Sequence, residues 1–174
     1  MKDLIGILMM FWIFTIKAQI INDFEGGDLS MDSLWTASNE SGRGMDFVIT
    51  DGELNSDGPS GSGTLFIATE LVISSQPTEL SWEFYVRYES PPSGSNYVKV
   101  FLLSDRVDLN DDPKGYYLQM GESGSNDGID LYHTSSNIPL ISDPMNGIAE
   151  GIDVHIQVFK SSIGEWTLKT HSSE

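Results

Sequence analysis

The chain contains no cysteine among its 174 residues, and it has only 9 lysines and arginines against 26 aspartates and glutamates. The absence of cysteine excludes a disulfide-stapled scaffold, so the stability of the fold must come from buried side chains. The formal charge of −17 opposes binding to nucleic acid and to anionic lipid surfaces. Nucleic acid is therefore not an expected partner.

Long apolar runs are also scarce, and the one that exists is Leu4–Ile16, which follows Lys2 and Asp3. As a helix this run spans about 20 Å, which is short of the ~30 Å hydrocarbon core of a bilayer. It closes on the small residue Ala18, and this arrangement is typical of a secretory signal peptide. We predict a signal peptide at 1–18 and one domain at 19–174, exported to the periplasm, the cell surface or the medium. The alternative is an uncleaved anchor; no stable membrane insertion is expected after cleavage.

After the predicted signal no window has a helical period, whereas several short segments are apolar at every second position. In the segment 80–88, Trp82 and Phe84 alternate with Glu83 and Tyr85. Period two places the first pair on one face of a half-buried strand and the second pair on the other. Further strands are predicted at 47–50, 53–55, 64–69, 97–103, 116–120, 129–132, 154–158 and 165–170.

Turn-forming pairs separate these segments, and Asp51-Gly52 and Asp127-Gly128 suit tight hairpins. Many short strands at regular spacing predict an all-β fold, an antiparallel β-sandwich. The segment 97–103 is apolar on both faces except at Lys99, which predicts a central strand. Because the sequence stops directly after a strand, we expect that the sandwich lacks its last strands and that the chain is a piece of a longer protein.

Several stretches carry a family resemblance, and their positions are Asp-Phe at 23–24, Trp35, Trp-Glu-Phe-Tyr-Val at 82–86, Val-Phe-Leu-Leu-Ser-Asp at 100–105, residues 115–127, and Gly-x-Trp-x-Leu at 164–168. The most specific of them is the run Gly-Glu-Ser-Gly-Ser-Asn-Asp at 121–127. Together they resemble the N-terminal concanavalin A-like, jelly-roll domain of secreted Bacteroidetes proteins, which is often followed by lamin-tail-type and C-terminal sorting modules. The resemblance covers residues 22–170. It implies a jelly-roll sandwich, an exported location and a non-catalytic accessory role.

The acidic loop after the predicted strand 97–103 is the candidate metal site, and its predicted ligands are Asp105, Asp108, Asn110 and Asp112. The last three have the alternating spacing that opens an EF-hand loop, and calcium prefers several oxygen ligands from a flexible loop. The match then ends, because Pro113 stands at the position of the turn glycine and Gln119 at that of the bidentate glutamate. The alternative is a solvated turn in which these side chains bond to their own backbone.

Two groups of residues are candidates for ligand binding. Tyr85 and Tyr117 lie on strand faces where exposure is expected, and exposed aromatic rings can stack on sugars. Glu122, Asn126 and Asp127 lie in a loop at one end of the predicted sandwich, where they could bind a sugar or an ion. The same three side chains could instead satisfy backbone groups in a demanding turn.

The sequence contains no motif that predicts catalysis. It lacks the Glu-x-Asp-x-x-Glu run of glycoside hydrolases and a serine in a Gly-x-Ser-x-Gly elbow, and His133, His155 and His171 are scattered along the chain. We therefore predict a non-catalytic β-sandwich module of an exported bacterial protein that binds carbohydrate or other surface components, with glycans or surface proteins as partners. The alternatives are a purely structural spacer domain of a large surface protein and a remote glycoside hydrolase.

Overall fold

The computed structural model describes residues 24, 29, 35–42, 44–60, 63–70, 79–88, 93–122, 128–142, 148 and 152–172. The predicted signal peptide at 1–18 and the predicted ligands Asn126 and Asp127 lie outside these residues. The strands are β1 (Trp35–Ala37), β2 (Phe47–Thr50), β3 (Glu53–Ser56), β4 (Ile67–Thr69), β5 (Leu80–Tyr88), β6 (Val98–Ser104), β7 (Gly115–Met120), β8 (Ile129–His133), β9 (Ile141–Ser142), β10 (Ile152–Lys160) and β11 (Trp166–Ser172). Within the described ranges, no helix has the length and apolar character that a bilayer crossing requires.

All strand pairings are antiparallel, so the prediction of an all-β antiparallel fold is confirmed. One sheet has the order β11-β10-β5 and the other has the order β6-β7-β8-β9. Side chains from both sheets meet in a single apolar core, as a β-sandwich requires. The buried members of this core are Leu102, Leu118, Met120, Ile129, Leu131, Ile148, Val154, Ile156 and Val158.

Strands β5 and β10 show the period of two that the sequence predicts. On β10, Val154, Ile156 and Val158 are buried in the core. On β5, Trp82 and Phe84 pack against the same core from their positions opposite Val158 and Ile156. The residues between them therefore face away from the core, on the outer side of the three-stranded sheet.

Two short ribbons, β1 with β4 and β2 with β3, accompany the sandwich. The β2–β3 hairpin turns at Asp51 and Gly52, whose φ angles are 53° and 77°. Positive φ at both central residues is the type I′ turn that favours Asp-Gly, so this predicted hairpin is confirmed. The ribbons are joined through Ser38, whose carbonyl accepts the Asp46 amide at 3.0 Å and whose amide donates to the Phe66 carbonyl at 2.8 Å.

The prediction that 97–103 forms a central strand is wrong for the described part of the chain, where β6 pairs with β7 alone and lies at the end of its sheet. The apolar residues on the second face of β6 are explained instead by a ring contact and by a register shift. Phe101 packs against the Tyr117 ring across the ladder, with 5.2 Å between ring centroids. Leu102 is an extra residue at a register shift between Phe101 and Leu103, and its side chain is buried.

Gly115 is required where β7 begins, beside this irregular part of β6. A Cβ atom at this position would lie 1.9 Å from the backbone oxygen of Leu103, so a larger residue cannot fit without moving the β6 backbone. Gly115 is also held on its other side, because its amide donates to Thr134 Oγ1 at 3.0 Å and its carbonyl accepts the Thr134 amide at 3.0 Å.

Asp46 is a fully buried carboxylate that the sequence patterns do not reveal. Its Oδ2 accepts the Glu40 amide at 2.6 Å and its Oδ1 accepts the Ser41 amide at 2.8 Å, so one side chain closes the turn before β2. Burial acts to raise the pKa of Asp46, but the hydrogen bonds from Ser41, Glu40 and Ser38 outweigh it and lower the pKa to about 2.

The Asp46 carboxylate predicts a specific loss of stability in acid. Because its pKa is lower in the folded chain than the ordinary 3.8, its contribution is complete above about pH 4 and is lost as the pH falls towards 2. We expect Asp46→Asn to be less stable than the unchanged chain at pH 7, and the difference to shrink between pH 4 and 2. Urea unfolding at stepped pH measures this. The exposed control Asp51→Asn should follow the unchanged chain, and a constant difference for Asp46→Asn would contradict the prediction.

The core predicts a large effect of truncation on β10. Ile156 is fully buried between the sheets, so Ile156→Ala should lower the free energy of unfolding by about 2–5 kcal/mol. Ile163, in the β10–β11 turn, is 78% exposed, so Ile163→Ala should change it by less than about 0.5 kcal/mol. Denaturant unfolding of the two variants compares the same substitution in two environments. Equal effects would contradict the placement of the core.

Candidate functional site

The outer face of the three-stranded sheet carries an aromatic row formed by Tyr85, His155 and His171. Tyr85 lies opposite His155 in the β5–β10 register, and His155 lies opposite His171 in the β10–β11 register. The Tyr85 and His155 rings stack at 4.5 Å between centroids, and the two histidine rings lie 6.2 Å apart. Tyr85 is 72% exposed, so its prediction as a solvent-facing aromatic agrees with its position.

An open groove of about 350 Å³, lined by polar and apolar residues alike, lies beside the aromatic row on the same face. The side chains that face it come from all three strands: Ser81, Glu83, Gln157, Phe159, Thr167 and Lys169. Glu83 links the groove to the row, because its Oε1 lies 2.9 Å from His155 Nε2 and accepts Gln157 Nε2 at 3.3 Å. The face thus combines exposed aromatic surface with hydrogen-bond donors and acceptors.

The β2–β3 hairpin borders this face at β5. Arg87, the next outward residue of β5 after Tyr85, forms an exposed ion pair with Glu53 of β3. A second depression of about 500 Å³ lies between them, lined by Thr50, Asp51, Glu53, Asn55 and Arg87. An exposed ion pair of this kind adds little to stability, about 0–1 kcal/mol. The pair shows that the hairpin lies next to the outer face.

Sequence reasoning singled out Tyr85 but not its two neighbours in the row. The alternation of β10 and β11 was visible, and it places His155 and His171 on the faces opposite the buried residues. The register between the strands was not visible, and the register is what brings the three rings into one line. The histidines that appear scattered along the chain therefore include one adjacent pair.

Tyr117 lies on the other sheet, so the two predicted tyrosines do not share a platform. It stands between Phe101 and Tyr132, with ring centroids 5.2 and 5.5 Å away, on the outer side of the four-stranded sheet. Lys99 Nζ lies 4.7 Å from the Tyr117 centroid and 5.4 Å from that of Tyr97. Burial lowers the pKa of Lys99, and burial together with Tyr97 raises the pKa of Tyr117.

Glu122 is engaged with this second aromatic group. The Tyr132 hydroxyl donates to Glu122 Oε1 at 2.9 Å, and only 9% of Tyr132 is exposed. Burial, the hydrogen bond to Glu122 and the charges of Glu122 and Asp130 raise the pKa of the Tyr132 hydroxyl. This contact is with a side chain and not with the turn's backbone groups, so neither the structural alternative nor the ligand-binding role of Glu122 is tested by it, and both stay predictions.

The predicted calcium ligands lie in the loop between β6 and β7, where several of them bond to the loop itself. Asp105 Oδ1 accepts the Lys114 amide at 2.7 Å, and Asp108 Oδ1 accepts the Asn110 amide at 2.9 Å. Asp112 has a φ of 49° and pairs with Lys114 Nζ at 2.7 Å. This hydrogen bond, with the charges of Lys114 and Arg106, lowers the pKa of Asp112.

Within the described ranges, no three histidine or acidic side chains are grouped closely enough to hold a metal ion. The contacts of the acidic loop are those of a self-bonded turn, and calcium binding there stays a prediction. Comparisons of the chain with protein-family models, curated proteins and solved structures found no match. The site must therefore be interpreted from its own residues.

The hydrogen bond between Tyr132 and Glu122 predicts a stability effect that separates it from an exposed tyrosine. Tyr132→Phe removes the hydroxyl and leaves a half-buried carboxylate without this donor, so the free energy of unfolding should fall by about 1–3 kcal/mol. Tyr97→Phe is the matched control, because Tyr97 is 48% exposed and water can replace its hydroxyl. Urea unfolding at pH 7 measures both variants. Equal stabilities would contradict a structural role for the Tyr132–Glu122 contact.

Proposed function

We propose that this chain is a non-catalytic β-sandwich module of an exported protein that binds carbohydrate on the outer face of its three-stranded sheet. The observation that carries the proposal is the aromatic row, with the exposed Tyr85 at one end, beside the groove. Export through a signal peptide and the jelly-roll class are part of the same proposal, and they rest on the sequence.

Tyr85 is the proposed stacking residue. Tyr85 is 72% exposed, and His155 stacks on one side of its ring at 4.5 Å, which restricts the movement of the ring. A large aromatic ring that is held rigidly before binding loses little conformational freedom when a ligand packs on it. The remaining open side of the ring offers an apolar surface to the C–H face of a sugar.

The groove supplies the polar partners that a sugar needs. Glu83 accepts hydrogen bonds, Lys169 donates them, and the Gln157 amide does both. A volume of about 350 Å³ lies at the small end of ligand sites, which suits one or two sugar rings. Few convergent polar groups beside an aromatic surface are the usual composition of a small-ligand site.

The charge of the chain limits the class of glycan. At −17 the protein repels polyanions at moderate salt, which disfavours uronic-acid and sulfated polysaccharides. We therefore propose neutral polysaccharides as the ligand class. The outer side of the four-stranded sheet fits a ligand less well, because the Tyr117 ring is already packed between Phe101, Tyr132 and Lys99.

Affinity electrophoresis of the full chain tests the proposal, with neutral polysaccharides (a β-glucan, a xylan and a mannan) and an acidic one (alginate) in separate gels. We expect retardation by a neutral polysaccharide and none by alginate. Tyr85→Ala should weaken that binding about tenfold or more, since an aromatic anchor contributes 2 kcal/mol or more at a binding hot spot. Tyr97→Ala, another exposed tyrosine, is the control and should bind as the unchanged chain does.

The outcomes separate the candidate functions. Retardation that survives Tyr85→Ala but is lost in Tyr117→Ala would contradict the proposed face and place binding on the other sheet. No retardation by any of the polysaccharides would contradict carbohydrate binding and leave the structural spacer. Cleavage of a polysaccharide, detected as new reducing ends after incubation, would contradict the non-catalytic assignment.

A further inference from the structure

Two of the three histidines in the chain stand side by side on the outer face of the three-stranded sheet. His155 and His171 are direct partners in the β10–β11 register, and both alternate with residues that face the core. Their ring centroids are 6.2 Å apart with 30° between the ring planes. Because the chain has no cysteine, its histidines are the only side chains that provide strong nitrogen or sulfur ligands for a metal ion.

We propose that His155 and His171 bind a divalent transition-metal ion, such as Zn²⁺ or Ni²⁺, across β10 and β11. Imidazole is the favoured ligand of these ions, and the metal–nitrogen bond is about 2.0–2.1 Å long. Two imidazoles on one tetrahedral metal place their centroids about 5 Å apart, so the pair must close by about 1 Å and both rings must rotate to turn their free nitrogens towards the metal. Adjacent positions on a rigid sheet make such a closure small.

Glu83 prepares His155 for this role. Its Oε1 lies 2.9 Å from His155 Nε2, and because a carboxylate only accepts, Nε2 must carry the hydrogen. In the neutral ring the lone pair is then on Nδ1, which is the nitrogen available to a metal. Histidines that bind metals commonly have their other ring nitrogen held by a carboxylate in this way, which fixes the ring and its tautomer.

The surroundings restrict the site and favour a cation. Tyr85 stacks on His155 and limits the movement of its ring. The strongly negative chain attracts cations, and the opposing charges on the same face are Lys169 and Arg87, of which Arg87 is paired with Glu53. Because the described side chains place only these two imidazoles together, the remaining coordination positions belong to water or to an incoming ligand. The proposal needs only the histidine pair, so it is independent of glycan binding.

Titration of the chelator-treated full chain with NiCl₂ tests the proposal, with the imidazole proton resonances followed by NMR and the affinity measured by calorimetry. Paramagnetic Ni²⁺ should broaden the resonances of His155 and His171 at low metal ratios, before those of His133. His171→Gln should weaken Ni²⁺ binding by about tenfold or more, and Glu83→Gln should weaken it as well. His171 is exposed, so its replacement is not expected to disturb the fold.

His133→Gln is the matched control and should leave the affinity unchanged, because His133 lies on β8 of the other sheet, against Tyr116. Equal broadening of all three histidines would overturn the proposal, and so would an unchanged affinity in His171→Gln. Loss of binding in Asp108→Asn with full binding in His171→Gln would also overturn it, because the metal would then lie in the acidic loop.

Discussion

The burial of one side of β10 is the constraint on which the rest of the structure depends. Val154, Ile156 and Val158 are enclosed between the two sheets, and successive residues of a strand point to opposite faces. His155 and Gln157 must therefore face outwards. Since β10 lies between β5 and β11, its register also fixes which residues of those strands stand beside them. A slip by one residue would exchange isoleucine for histidine in the core, so the core itself protects the arrangement of the outer face.

Local features of the fold could be predicted well from the sequence. The strands at 80–88 and 47–50 have the predicted bounds. Their period of two can be recognised from consecutive residues, without knowledge of which strands pair. The turn at Asp51-Gly52 followed from the preference of these two residues for positive φ. The exposure of Tyr85 followed from the same alternation, since the residues on either side of it enter the core.

Features that depend on distant partners could not be predicted in the same way. Tyr85 and His155 meet only because β5 and β10 pair, and no local pattern specifies that pairing. Nothing in the local sequence distinguishes Asp46 from an exposed loop carboxylate, because its partners are the amides of Glu40 and Ser41 in the folded turn. Strand β6 was expected at a sheet centre because its second face is apolar, but a cross-strand ring contact and a bulge account for that face. The apolar residues of β6 therefore indicated correctly that both of its faces contact other side chains. They indicated a central position in the sheet incorrectly.

The pairing of β5 with β10 also has a consequence for the order of folding. Glu83 and His155 are 72 positions apart in the chain, whereas β6, β7, β8 and β9 each pair with a neighbour in sequence. Closing a long loop is entropically costly and slows folding, while hairpins between neighbours form early. We expect the β6–β9 meander to form first and β5 and β10 to pack on its apolar side afterwards. The amides of the meander should therefore gain protection from hydrogen exchange earlier than those of β5 and β10. The face that carries Tyr85 would then be the last part of the sandwich to mature, and it would exist only in chains that have completed the fold.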